Sequence, residues 1–144
     1  MRVDFYQLSR DPVERVVAQL AGKVLDAGAT LLVVAEDAEL RQVLSEALWK
    51  ADGFLANGAA DEPGAERQPI LLAGECAAPN SASMVLLADG AWREEATGFE
   101  RAMLLFGEDA ALAARALWQE LRGRDDVEPR IFKQTPAGGW REGA

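Results

Sequence analysis

Histidine is missing from this sequence altogether, and cysteine occurs once, at Cys76. Without histidine there is no Ser-His or Cys-His nucleophile pair and no ordinary general base near neutral pH. A lone thiol makes no internal disulfide, and a zinc site built from Cys and His is excluded. Cys76 therefore reads as a small buried side chain. Lysine is scarce too: Lys23, Lys50 and Lys133 are the only ones, and none closes a glycine-rich phosphate loop of the G-x-x-x-x-G-K-[ST] type. No apolar run approaches the roughly 18 residues needed to span a bilayer. Met1 to Arg10 carries Arg2 and Asp4 within an alternating apolar pattern, unlike a signal peptide. The expectation is a cytoplasmic protein with no membrane contact and no cofactor.

What is present is enough apolar material for a core. The 144 residues are 49% apolar, which fits one α/β-sized domain over 1–144 without disulfides or a structural metal. Net charge is −9, which argues against direct binding to nucleic acid, because a phosphate backbone requires a basic footprint. The charge is uneven along the chain. Before Arg115 there are 9 basic and 19 acidic residues, net −10; from Arg115 onward there are 6 and 5, net +1. In that last stretch the cations alternate with Trp118, Phe132 and Trp140. Such a segment invites an acidic, partly apolar partner.

The order of elements reads as strand, helix, strand, helix. Val3 to Leu8 alternates with period two. Asp11-Pro12 then supplies an N-cap and a proline at the first helical position, and Val13, Val16, Val17, Leu20 and Val24 make one helical face ending near Gly28. Thr30 to Val34 is a continuous β-rich apolar run, the pattern of a strand buried on both sides in a parallel sheet. Glu36-Asp37 opens a second helix with Leu40, Val43, Leu44, Ala47 and Leu48 inward. Residues 57–68 read as an exposed loop. Pro69 to Ala73, Met84 to Ala88 and Arg101 to Phe106 are short strands, with a turn at Asp89-Gly90. A helix from about Asp109 to Arg122 turns Ala110, Ala113, Ala114, Leu117 and Leu121 inward. Ile131 to Gln134 adds a last strand, and 136–144 reads as a tail. This is an α/β, Rossmann-like single domain with a mostly parallel sheet and no P-loop.

Three groups of residues are candidates for function. Arg115, Trp118 and Arg122 fall on one helical stripe, beside the inward one, and offer guanidinium groups next to an indole. The bland alternative is a Trp118 tucked against the sheet with solvated arginines. Trp49, Phe54 and Leu55 cluster at the end of the second helix, either closing the core there or forming a patch for another chain. Glu36 and Asp37 stand at the C-terminal end of a central strand, where α/β folds place ligands. They leave open a small nucleotide- or metal-dependent enzyme, although negative charge at a helix N-terminus is the simpler account.

In order, these segments resemble the chi subunit family of bacterial DNA polymerase III. The resemblance runs through Val3-Asp4-Phe5-Tyr6, Glu46-Ala47-Leu48-Trp49 with Phe54-Leu55, Gln68-Pro69-Ile70, Phe99-Glu100-Arg101, Ala114-Arg115 with Trp118, Phe132-Lys133-Gln134 and Gly139-Trp140. It implies a non-enzymatic replisome adaptor, an accessory subunit of the clamp loader. It implies that Arg115, Trp118, Lys133 and Trp140 receive the acidic, Phe-terminated tail of single-stranded DNA-binding protein. It implies that Trp49, Phe54 and Leu55 receive the psi subunit or a helicase of the XPD/DinG type. The chain departs from the family pattern at Ala56-Asn57, where Pro-His is usual, and at Gln119, where many relatives carry lysine.

Overall fold

The computed structural model describes residues 1–53 and 55–143. Along the chain lie β1 (Arg2–Gln7), α1 (Val13–Asp26), β2 (Leu31–Val34), α2 (Ala38–Lys50), β3 (Gly58–Ala59), β4 (Ile70–Ala73), β5 (Met84–Leu87), β6 (Arg101–Phe106), α3 (Ala111–Arg122), β7 (Glu128–Gln134) and β8 (Trp140–Gly143). The strands make one eight-stranded sheet in the order β3-β4-β2-β5-β6-β1-β7-β8. Every neighbouring pair is parallel except β7 and β8. The fold is α/β and Rossmann-like, as its element order implies.

The sheet has a core on each side. On one face α1 and α2 press Val16, Val17, Leu20, Leu44 and Leu48 against Leu31, Val33, Met103 and Leu105. On the other, α3 brings Ala114 and Leu121 onto Phe5, Leu104 and Phe106. β2 and β4 are buried at every residue, which is why they read as runs instead of alternating. Each Val or Leu so enclosed contributes about 1.5–3 kcal/mol.

β1 does alternate in sequence, yet it is no half-solvated strand. It lies between β6 and β7 with Val3, Asp4, Phe5 and Tyr6 all buried. The Asp4 carboxylate is fully enclosed, accepting from Arg2 Nε at 2.7 Å and Arg101 Nε at 2.6 Å. A buried charge persists only when paired in this way.

Local differences from the sequence reading have physical causes. Asp11 does not cap α1; Pro12 holds the cap position without a side-chain bond, because the Asp11 carboxylate accepts from Gln134 Nε2 at 2.8 Å. Asp37 does cap α2, accepting from the Glu39 N–H at 3.0 Å. Of the five inward residues expected on α2 only Leu44 and Leu48 are buried, and Val43 is 43% exposed. Residues 57–68 are not wholly exposed: Asn57 and Ala65 are buried, and Gly58–Ala59 pairs with β4. The expected tail forms β8, joined to β7 by a tight loop in which the Thr135 N–H reaches Gly139 O at 2.8 Å and Gly138 takes φ 93°.

Candidate functional site

α3 packs on the sheet through a stripe of small residues. Ala114 and Leu121 are buried, while Ala110, Ala111, Leu117 and Trp118 are half-buried against the same core. Ala113, expected inward, is exposed, and Trp118 takes a place on the inward side. α3 lies against β7, and Ile131 of that strand packs in the same core as Trp118. Because Ala111 and Ala114 are short, helix and sheet do not close completely. A cleft of about 200 Å³ remains, lined by Phe5, Phe106, Arg115, Trp118, Ile131 and Lys133 among others.

Its floor is aromatic and its rim is cationic. The Trp118 indole meets Phe5 edge-on at 5.7 Å, and Phe5 meets Phe106 edge-on at 6.4 Å. Trp118 is thus both packed on the sheet and presented to the cleft. Arg115, Gln119 and Lys133 line the opening. Arg141 stands opposite Lys133 in the β7–β8 register and so shares its face. Arg115, Lys133 and Arg141 are exposed and form no ion pair with any described residue. Arg141 was hidden from sequence reading because 136–144 looked irregular. The Gly138-Gly139 pair ahead of Trp140-Arg141 was the hairpin signal that could have found it.

Trp140 does not join this cleft. In β8 it faces Gln134, and its indole meets Tyr6 edge-on at 5.1 Å on the α1 side of the sheet, with Nε1 directed at Gln19 Oε1 at 3.4 Å. Tyr6 also stacks on Phe132, with ring centroids 5.1 Å apart. A second cleft of about 270 Å³ lies there, lined by Arg2, Tyr6, Lys23, Arg101, Phe132 and Trp140 among others. Side chains alternate along a strand, so Lys133 and its neighbours Phe132 and Gln134 belong to different sides.

At the end of α2 the expected trio divides. Trp49 is 48% exposed, whereas Leu55 is half-buried on the core and its N–H bonds to Leu48 O at 3.0 Å, closing the helix. Phe54 lies outside the described residues. Asn57, buried, pins this exit by donating to Leu55 O at 2.9 Å and accepting from Ser45 Oγ at 2.6 Å. Trp49 and Val43 are left as exposed apolar surface on α2.

Of the catalytic alternative's two residues, Asp37 is engaged through its carboxylate and Glu36 through its backbone. Asp37 caps α2, and the Glu36 N–H donates to Asp89 Oδ2 at 3.0 Å. Asp89 also accepts from Arg93 Nη1 at 2.7 Å and from the Ala91 N–H at 3.2 Å. Burial works to raise the Asp89 pKa, but these bonds, the Arg93 one foremost, hold it below the ordinary value. Cys76 is half-buried, and burial pushes its thiol up. After β1, where many α/β proteins cradle a phosphate on backbone N–H groups, the N–H groups of Ser9, Arg10 and Asp11 all donate to Gln134 Oε1, at 3.2, 2.9 and 3.1 Å. The nest is filled by the protein's own amide.

The family model of the DNA polymerase III chi subunit, HolC, matches residues 1–127. The chain belongs to the DNA polymerase III chi subunit family. No individual curated protein matches it. Chi proteins are accessory subunits of DNA polymerase III, which associates this chi-family chain with DNA replication. The match contains Trp49, Arg115 and Trp118 and stops before β7, so Lys133, Trp140 and Arg141 lie outside it. Among the described residues no helix is long and apolar enough to cross a membrane, and no three metal-binding side chains gather.

Proposed function

We propose that this chi-family chain is a non-enzymatic adaptor of the replisome, and that the cleft beside α3 receives the acidic C-terminal tail of single-stranded DNA-binding protein. The observation that carries this reading is the pairing of an aromatic floor, Trp118 on Phe5, with the unpaired cations Arg115 and Lys133 at its rim. A terminal aromatic side chain fits the floor, and carboxylates meet guanidinium and ammonium groups that no other described side chain neutralises. Each charge-assisted hydrogen bond contributes about 1.5–3 kcal/mol, so affinity on the order of micromolar follows, falling as salt rises.

Trp49 and Val43 offer a second, apolar surface on α2, the face we assign with Phe54 and Leu55 to a psi subunit or an XPD/DinG-type helicase. One chain then links tail and clamp loader without chemistry of its own. The filled nest at Ser9 to Asp11 and the capping role of Asp37 support that reading over a nucleotide enzyme.

Titration calorimetry with a peptide of the host's single-stranded DNA-binding protein C-terminus tests the cleft. Binding should weaken on loss of the terminal Phe, of the acidic residues, or of Arg115. Binding indifferent to all three would overturn it. Adenine nucleotide with magnesium should leave the melting temperature unchanged, and a reproducible rise would favour the enzyme reading.

A further inference from the structure

We propose that the cleft between α1 and the β7–β8 hairpin is a second docking site, for an acidic peptide segment that carries one bulky apolar side chain. It goes beyond the tail reading of the α3 cleft and stands independently of it. The volume, about 270 Å³, exceeds that beside α3, about 200 Å³. One end is aromatic: Phe132 and Trp140 are both half-buried over Tyr6, each with ring centroids 5.1 Å from it. The other end is cationic, formed by Arg2, Lys23 and Arg101.

The carboxylate bonded to the two arginines of this end lies beneath the surface. Asp4, fully buried, binds the Nε of both arginines, and Arg101 Nη2 donates to Tyr6 Oη at 3.0 Å. Glu128, the acidic neighbour on β7, is turned to Arg130 at 3.3 Å. The terminal nitrogens of Arg2, Nη1 of Arg101 and the Lys23 ammonium therefore have no hydrogen-bond partner among the described residues. Asp4 holds the two guanidinium groups in place before any ligand arrives, so an incoming carboxylate meets ordered donors. In a chain of net charge −9, a compact group of three cations beside half-buried aromatic rings matches a short acidic and apolar segment. It is too small for the extended basic track that a nucleic-acid backbone requires.

The test is titration calorimetry of the full chain with a synthetic hexapeptide of three aspartates ending in a free-carboxylate phenylalanine. The expected result is two peptides bound per chain, with Arg115→Glu removing one. In that background Lys23→Glu and Trp140→Ala should each weaken the remaining site at least tenfold. Lys23 is exposed and makes no contact with Asp4, so that variant keeps the fold, checked by melting. In parallel, the Trp140 indole N–H resonance should shift with peptide in the Arg115→Glu protein. One site in the wild type, lost entirely in Arg115→Glu with the indole unmoved, overturns this inference and leaves the α3 cleft standing. Binding indifferent to Arg115→Glu but lost in Lys23→Glu upholds it and removes the α3 cleft instead. Adenosine triphosphate or an oligonucleotide binding here in place of the peptide overturns the occupant.

Discussion

The two clefts lie back to back on the same strands, and their cations differ in kind. Beside α3, Arg115, Lys133 and Arg141 point outward with no ion pair to a described residue. Beside α1, Arg2 and Arg101 are tied to the buried Asp4 of β1. On one side the positive charge is surface decoration that the fold does not need; on the other it is part of what allows Asp4 to be buried at all. Similar composition thus separates into a face whose cations the fold can spare and a face whose two arginines also hold a buried carboxylate.

Removing Asp4 is the sharpest way to break the contrast. Asp4→Ala leaves two guanidinium groups around a buried void and should destabilise by about 3–5 kcal/mol, measured by urea denaturation. Arg115→Ala should shift stability by less than about 0.5 kcal/mol. Equal effects on stability from both would mean that the two sets of cations do not differ in kind.

Gln134→Ala comes next. It strips the acceptor from three N–H groups and the donor from Asp11, so it should cost about 1–3 kcal/mol while opening the nest after β1. Inorganic phosphate should then raise the melting temperature of this variant more than that of the wild type. A variant as stable as the parent would mean that water replaces the amide without loss.

On the binding side, Arg115→Ala should weaken tail peptide by about 1–3 kcal/mol in calorimetry, with Lys133→Ala and Arg141→Ala each doing less. Trp49→Ala, 48% exposed in the free chain, should keep both fold and tail binding yet lose capture of a psi-like subunit or helicase in a pulldown. Phe54→Ala, assigned to the same partner by the family resemblance, should lose that capture too. If Trp49→Ala instead melts the protein, the α2 patch is core.

The smallest effect concerns pH. The Asp89 carboxyl has a folded pKa below its ordinary value of 3.8, so its contribution to stability is complete above that value and is lost as pH falls through the folded one. Asp89→Asn should therefore flatten the stability profile below about pH 4 and leave its shape near neutrality unchanged. An unchanged acid limb would assign that loss to other carboxylates.

Much of this was legible before any coordinates. The runs at Leu31 to Val34 and Ile70 to Ala73, and the Val16-Val17-Leu20-Val24 face, announce buried strands and an amphipathic helix, because burial imposes its period on local sequence. Arg115 and Trp118 were visible as neighbours for the same reason, three residues apart on one helix. Lys133 was grouped with them through the family resemblance, and it does reach their cleft.

The sequence by itself determined the α/β class, the order of most elements and the cationic, aromatic character of the C-terminal quarter. Tertiary structure alone decided that Trp140 and Lys133 serve opposite faces, that Asp4 is buried between two arginines, and that Gln134 fills the nest after β1. Those outcomes depend on which strands are neighbours and in what register. A strand's side chains alternate with period two, so pairing decides the face each residue occupies, and partners about 100 positions apart along the chain leave no local mark of their meeting.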